Sequence, residues 1–254
     1  MLLATWALLT GYSESGSSSN LAAPSTVSAA LPPRKMENLT PGLHPLTIRD
    51  PEGKELRFTI SVPEGYSAKK PTALLLALHY GGRVTPFYAG GMIQILVVPA
   101  LAELRAIIVA PDAIVRGWRN EPNEKAVLHI LKLVEEQFNI DHYKTLVTGF
   151  SMGAAGTWHF AEHHHQRFSA AIPISERVPD DLDCRLPTYV IHSRDDGLIP
   201  FDAVEQSVEK LVSQGCNVHL EVIEGITHFQ TERFVQPLKQ TVPWIKKVWK
   251  QQAD

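Results

Sequence analysis

Residues 146–158 read LVTGFSMGAAGTW: an apolar run, a serine between two glycines, then small residues and an aromatic. Gly149-Phe150-Ser151-Met152-Gly153 has the form G-x-S-x-G, with a strand-like run before it and a helix-capable stretch after it. A turn that joins strand to helix so abruptly strains the serine backbone and lifts its hydroxyl above the sheet. Glycines on both sides let neighbouring chains come that close. Fallen by chance into a loop, the same letters would describe only a hydroxyl in a turn.

The surrounding chain supplies the strands that this turn needs. TIRDPEGKELRFTISVPEGY, from Thr47, contains two strands around the turn Asp50-Pro51-Glu52-Gly53, and alternation of Leu56, Phe58, Ile60 and Val62 with Arg57, Thr59 and Ser61 predicts one wet face for the second. Thr72–His79, Ala106–Pro111, Thr145–Gly149, Phe168–Ile174 and Thr188–Ser193 are apolar without alternation, as strands buried on both faces are, and Val218–Gly225 closes the series. Between them Val127, Ile130, Leu131, Val134 and Phe138, and later Val204, Val208 and Leu211, recur at three- and four-residue intervals. Alternation of strand and helix predicts a doubly wound, mostly parallel α/β sheet with antiparallel N-terminal strands and helices on both faces.

The chain has 254 residues, 44% hydrophobic and 20% charged, with a formal net charge of −3. That balance fits one globular domain and offers no electrostatic reason to expect nucleic acid as a partner. Lys246, Lys247 and Lys250 read as the solvated face of a final helix. Residues 1–40 differ from the rest. MLLATWALLTG is too short to span a bilayer, and a Ser-, Ala- and Pro-rich stretch follows it. This pattern reads as an export signal with a flexible linker, placing the catalytic domain at 41–254 and the protein in the periplasm or outside the cell. Leu8-Leu9-Thr10-Gly11 resembles the box before a lipidated cysteine, but Tyr12 stands where that cysteine must be, so lipid anchoring is not expected. Cys184 and Cys216 each precede a predicted strand; a disulfide and two buried thiols both fit.

A serine hydroxyl becomes nucleophilic only when a base takes its proton, and in this topology the order along the chain is serine, acid, histidine. Of eleven histidines, His192 and His219 lie in predicted strands, while His228 follows the last strand on a loop at the carboxyl edge. His228 is therefore the expected base. HSRDDGLIP offers Asp195 and Asp196 as the acid, and composition does not choose between them. The oxyanion hole needs two backbone N–H groups, expected from Met152 and from Gly81 in the HYGGR loop. His163, His164 and His165 run consecutively, but successive helical side chains diverge by about 100°, which disfavours a shared metal. Trp118 fits either a stacking surface for a sugar or aromatic acyl group or a core position.

Four stretches, PEGYSAKKPTALLLALHYGG, TGFSMGAAGTWHFAEHHHQRFSAAIPIS, IHSRDDGLIPF and EGITHFQ, together resemble the α/β-hydrolase superfamily. The resemblance is closest to the secreted esterase and predicted-peptidase branch that includes feruloyl and acetylxylan esterases and polyhydroxybutyrate depolymerase-like proteins. It spans Leu46 to Trp249, with Tyr80 in place of the first glycine of an HGGG-type loop and Ser193 in place of a glycine in the acid loop. It implies Asp196 as the triad acid beside Ser151 and His228, hydrolysis of small-molecule or polymeric carboxylic esters through an acyl-enzyme, and no cofactor or metal. Glu176 to Arg185 is too short for the lid many lipases carry, so an open site is expected. A serine peptidase of the prolyl-oligopeptidase-like type and a catalytically silent binding protein are the alternatives.

Overall fold

The computed structural model describes residues 36–253. The expected export signal and the lipobox-like stretch fall outside them, as does the expected linker up to residue 35. Packing of the domain already includes Met36, which is 2% exposed and donates its N–H to Gln137 Oε1 at 2.6 Å.

Eight strands form one sheet: β1 (Gly42–Arg49), β2 (Glu55–Val62), β3 (Thr72–Leu78), β4 (Ile107–Pro111), β5 (Ile140–Phe150), β6 (Ala170–Ile174), β7 (Thr188–Ser193) and β8 (Val218–Ile223). Their order is β1-β2-β4-β3-β5-β6-β7-β8. β1 runs antiparallel to β2 and β2 to β4, while all later pairs are parallel. The Asp50–Gly53 turn forms as expected, with Asp50 Oδ1 accepting from the N–H groups of Glu52 and Lys54. Of the expected wet face of β2 only Arg57 stays partly exposed: Thr59 and Ser61 are buried at 3% and 7% exposure. β2 is the second strand of the sheet, and α1 (Tyr88–Met92) lies against its other face, where Gly90 packs on the Thr59 side chain.

The crossover from β3 to β4 was not legible as helix. It consists of α1, a π-helical turn (Ile93–Val97), α2 (Val98–Leu101) and a 3-10 turn (Ala102–Leu104). Gly90, Gly91, four β-branched residues and Pro99 argue locally against helix. Burial of Met92, Ile93, Leu96, Val97 and Leu101 on the sheet overrides that preference. α6 (Val235–Gln240) and α7 (Val242–Ala253) share this face, while α3 (Glu121–Gln137), α4 (Met152–His163) and α5 (Phe201–Ser213) cover the other. β3 shows the division residue by residue: Leu75 and Ala77 join one core, Leu74, Leu76 and Leu78 the other.

Because β3 to β8 are parallel, the loops that follow them gather at one edge of the sheet. The connection from β6 to β7 is short and pinned. Cys184 and Cys216 form a disulfide with 5.8 Å between their Cα atoms, Val178 is buried against Trp158, Val190 and Val204, and Lys210 Nζ donates to Asp180 O at 2.9 Å.

The tightest packing joins α4 to β3. A Cβ on Gly153 would overlap the Leu78 carbonyl and lie 2.9 Å from that of His79, whereas one on Gly91 meets nothing within 4 Å. Gly153→Ala should therefore lower Tm by roughly 5–10 °C despite alanine's higher helix propensity. Gly91→Ala should raise it by about 1–3 °C, both read from thermal melts followed by circular dichroism.

Candidate active site

β5 delivers Ser151 directly onto the first turn of α4. The serine adopts φ 53° and ψ −120°, a conformation that costs a non-glycine residue on the order of 1–3 kcal/mol. Its N–H donates to Ile174 O on β6 at 2.8 Å, and its carbonyl accepts from Ala154 and Ala155. The turn is thereby locked to the neighbouring strand and to its own helix.

His228, on the loop after β8, is 5% exposed, and its Nε2 lies 2.8 Å from Ser151 Oγ. Its Nδ1 lies 2.7 Å from Asp196 Oδ2. An ionised carboxylate only accepts, so Nδ1 carries the proton and Nε2 is left to accept from the serine hydroxyl. Asp196 Oδ1 accepts from the N–H groups of Leu198 and Ile199 at 3.0 and 2.9 Å, and its side chain is fully buried. Asp195 points elsewhere: it is exposed and its Oδ2 accepts from Gly225 N–H at 2.6 Å. The pair that sequence left open is thus separated by geometry. His192 is fully buried and bonds Ile199 O at 3.0 Å, bracing the acid loop, while His219 is exposed beside Glu221. Burial holds His192 below the ordinary histidine value.

Gly81 lies beside the start of α4, its Cβ position 3.9 Å from Met152 Cβ. Neither the Gly81 nor the Met152 N–H is engaged by another group among the described residues. His79, at the end of β3 and fully buried, orients the first of these. Its Nε2 accepts from Ala113 N–H at 3.1 Å, which leaves Nδ1 as donor to Tyr80 O at 2.7 Å. Tyr80 O and Gly81 N–H belong to one planar peptide, so fixing the carbonyl aims the N–H the opposite way. Trp118 is 1% exposed and donates its indole N–H to His79 O at 2.9 Å. It is a core brace rather than a stacking surface. Asp112 accepts from the N–H groups of Phe87 and Ala89 and fixes the far end of the same loop. Burial raises its carboxyl above the ordinary range, against the pull of those two amides, of His79 and of Arg57. His79 and Asp112 had no assigned part in the sequence reading; the only trace of His79 there is its place between a buried strand and a glycine pair.

Among the consecutive histidines, His164 and, one turn earlier, His159 direct Nε2 onto opposite oxygens of Glu124 at 3.0 and 2.7 Å. They fasten α4 to α3. Among the described residues no cluster of His, Cys, Asp and Glu has the arrangement of a metal site.

Burial depresses proton affinity at His79 as well as at His192. The unfolded chain takes up these protons near pH 6.5, the folded chain only at lower pH. Their contribution to stability is therefore constant above about pH 6.5 and falls below it, at no more than about 1.4 kcal/mol per pH unit for each excluded proton. Urea unfolding between pH 7 and 5 should show this decline, with a shallower slope for His79→Gln; an unchanged slope would exclude His79 as a cause.

Residues 96–242 match the dienelactone hydrolase family. Among curated relatives, the probable feruloyl esterase C of Aspergillus niger is 28% identical over 190 residues, 72% of this chain and 68% of that protein. Feruloyl esterase C of Emericella nidulans is 27% identical over the same shares. Among solved structures, a thermostable esterase superposes with a TM-score of 0.67 at 23% identity, over 82% of this chain and 62% of that one. A fluorophosphonate-binding serine hydrolase of Staphylococcus aureus gives 0.66 at 16% identity, over 81% and 99%. At such identities the superpositions speak for the fold: that of the α/β hydrolases.

Proposed function

The chain belongs to the dienelactone hydrolase family and is a carboxylic-ester hydrolase, and we propose that Ser151, His228 and Asp196 carry its chemistry. The observation behind this assignment is the continuous chain Asp196–His228–Ser151, with links of 2.7 and 2.8 Å, ending on a serine in a strained turn. Ser151 Oγ attacks the ester carbonyl carbon as its proton passes to His228 Nε2. The carbonyl oxygen, now negative, accepts from the N–H groups of Met152 and Gly81; losing one such donor typically costs about 3–4 kcal/mol of transition-state stabilisation. The imidazolium returns its proton to the departing alkoxide, leaving Ser151 acylated. Water, activated by the same imidazole, then releases the acid. Asp196 stays ionised throughout and orients the ring.

The acyl group fits an aromatic or otherwise apolar acid. Phe229, Leu198 and Val115 are exposed at 82%, 54% and 43% on the loops after β8, β7 and β4, the edge where Ser151 emerges. The relatives, feruloyl esterases by name, point the same way. With the β6 to β7 connection pinned down, the opening admits bulky or polymeric esters.

The Cys184–Cys216 disulfide supports work in an oxidising compartment, outside the cell or in the periplasm. Natively expressed protein unfolded without reductant should then show no free thiol to Ellman's reagent; two free thiols would remove that support.

Turnover of p-nitrophenyl acetate and methyl ferulate, against a matched p-nitroanilide, tests the assignment. Ser151→Ala should abolish ester turnover, with a loss of at least about 10⁴-fold in kcat. A fluorophosphonate should phosphonylate Ser151 with loss of fluoride, adding the phosphonyl mass to its peptide. Anilide cleavage comparable to ester cleavage would favour a peptidase, and an unlabelled Ser151 would favour a silent binding protein.

A further inference from the structure

Both edges of the sheet are open among the described residues: β1 pairs only with β2, and β8 only with β7. The two edges differ in sequence. β1 contains Pro45, which has no N–H to offer a further strand. β8 reads VHLEVI, without proline, glycine or lysine, and keeps one register with β7 over all six residues without a bulge. Lysine, proline and bulges are among the devices by which an edge strand avoids pairing with another chain, and β8 has none of them.

Thr188 N–H donates to Asn217 O and Arg194 N–H to Ile223 O, each at 2.9 Å, so the odd-numbered residues along β8 turn their backbone groups to β7. Those of Val218, Leu220 and Val222 therefore face outward. Side chains divide by the same alternation. Val218, Leu220 and Val222 are half-buried on the α5 face, the first two against the core around Trp158, Val190 and Val204. His219 and Glu221 lie on the other face, where the His219 ring is 4.4 Å from that of Tyr189 and Glu221 Oε2 accepts from Tyr189 Oη at 2.9 Å.

We propose that β8 is the docking edge for a second copy of this chain, paired antiparallel about a two-fold axis through Leu220. In that register Val218 stands opposite Val222 of the second copy and Leu220 opposite its counterpart, and these outward-facing residues exchange the ladder's hydrogen bonds. His219 then stands opposite Glu221 of the second copy, and Glu221 opposite its histidine, in the non-hydrogen-bonded positions where Cα atoms approach to about 4.5 Å and side chains come closest. Apolar meets apolar on one face, imidazole meets carboxylate on the other. Moving the axis to His219 would oppose two imidazoles, and moving it to Glu221 two carboxylates, so the sequence of β8 selects the register through Leu220. Antiparallel pairing turns the carboxyl edges of the two sheets in opposite directions, so the two Ser151 sites face opposite ways and the docking does not rest on the assignment of the triad.

Sedimentation equilibrium of the natively expressed protein at pH 7, from about 1 to 100 μM, should show association to twice the monomer mass with a Kd in the micromolar range. His219→Glu sets carboxylate against carboxylate on both sides of the axis, and Glu221→Lys removes both imidazole–carboxylate pairs; each should raise Kd about tenfold or more. Mixing the two variants should restore a dimer, because one pair then opposes carboxylate to lysine and the other keeps imidazole against carboxylate. Unchanged ester turnover in each variant reports an intact fold. In the unsubstituted protein the amides of Val218, Leu220 and Val222 should exchange with deuterium more slowly at the higher concentration. A protein that stays monomeric throughout, a dimer indifferent to both substitutions, or edge amides protected in a monomeric sample, as another segment of the same chain would protect them, overturns the proposal.

Discussion

α4 meets the end of β3 with no space for a side chain at Gly153, and most of the site's geometry descends from that contact. Only a glycine lets the helix start so close to the carbonyls of Leu78 and His79, and only a helix starting there forces the residue before it into a positive φ. Gly149, one turn of chain earlier, would meet the Gly153 backbone and the Leu78 carbonyl if it bore a Cβ, so the constraint acts from both sides of Ser151. Gly156 continues it against Trp118 and Leu78. The strain at Ser151 persists because Phe150 on one side and Ala154 on the other are each buried in well-packed surroundings.

The same contact explains why the loop after β3 needs its own bracing. A loop ending a buried strand beside a helix N-terminus carries backbone groups that water cannot reach, and each requires a partner. His79 accepts from Ala113 and donates to Tyr80, the Trp118 indole takes the His79 carbonyl, and Asp112 collects two amides at the loop's far end. These bonds leave the Gly81 and Met152 N–H groups without a partner among the described residues. On the opposite rim His192 holds the Ile199 carbonyl, and Asp196 takes the Leu198 and Ile199 amides as well as the imidazole. Two buried imidazoles thus serve structure, and a third faces the serine.

Charge around the opening is sorted by burial. Asp196 is wholly enclosed and saturated with donors, whereas the Asp195 carboxylate is exposed and accepts from the Gly225 backbone. Low dielectric lets an enclosed carboxylate act strongly on its neighbour, whereas an exposed one is screened. Around these groups the rim is apolar at Phe229, Leu198 and Val115.

Much of this was readable in the amino-acid order. G-x-S-x-G between an apolar run and a run of small residues is local chemistry, and so are the Asp50–Gly53 turn and the three- and four-residue stripe of α3; each depends on neighbours a few positions away. The order serine, acid, histidine pointed to His228, and the family resemblance pointed to Asp196 over Asp195. Contacts between distant segments were not readable. Residues 88–104 are helical because the sheet buries them, against their own propensities, and β2 loses its wet face because α1 covers it. Trp118 and His79 became braces because β3, β4 and α4 converge. Sequence determined the fold class, the turn and its serine, since these rest on short-range sterics and periodicity; tertiary structure alone decided which carboxylates and imidazoles meet, because burial and hydrogen-bond partners come from residues far apart in the chain.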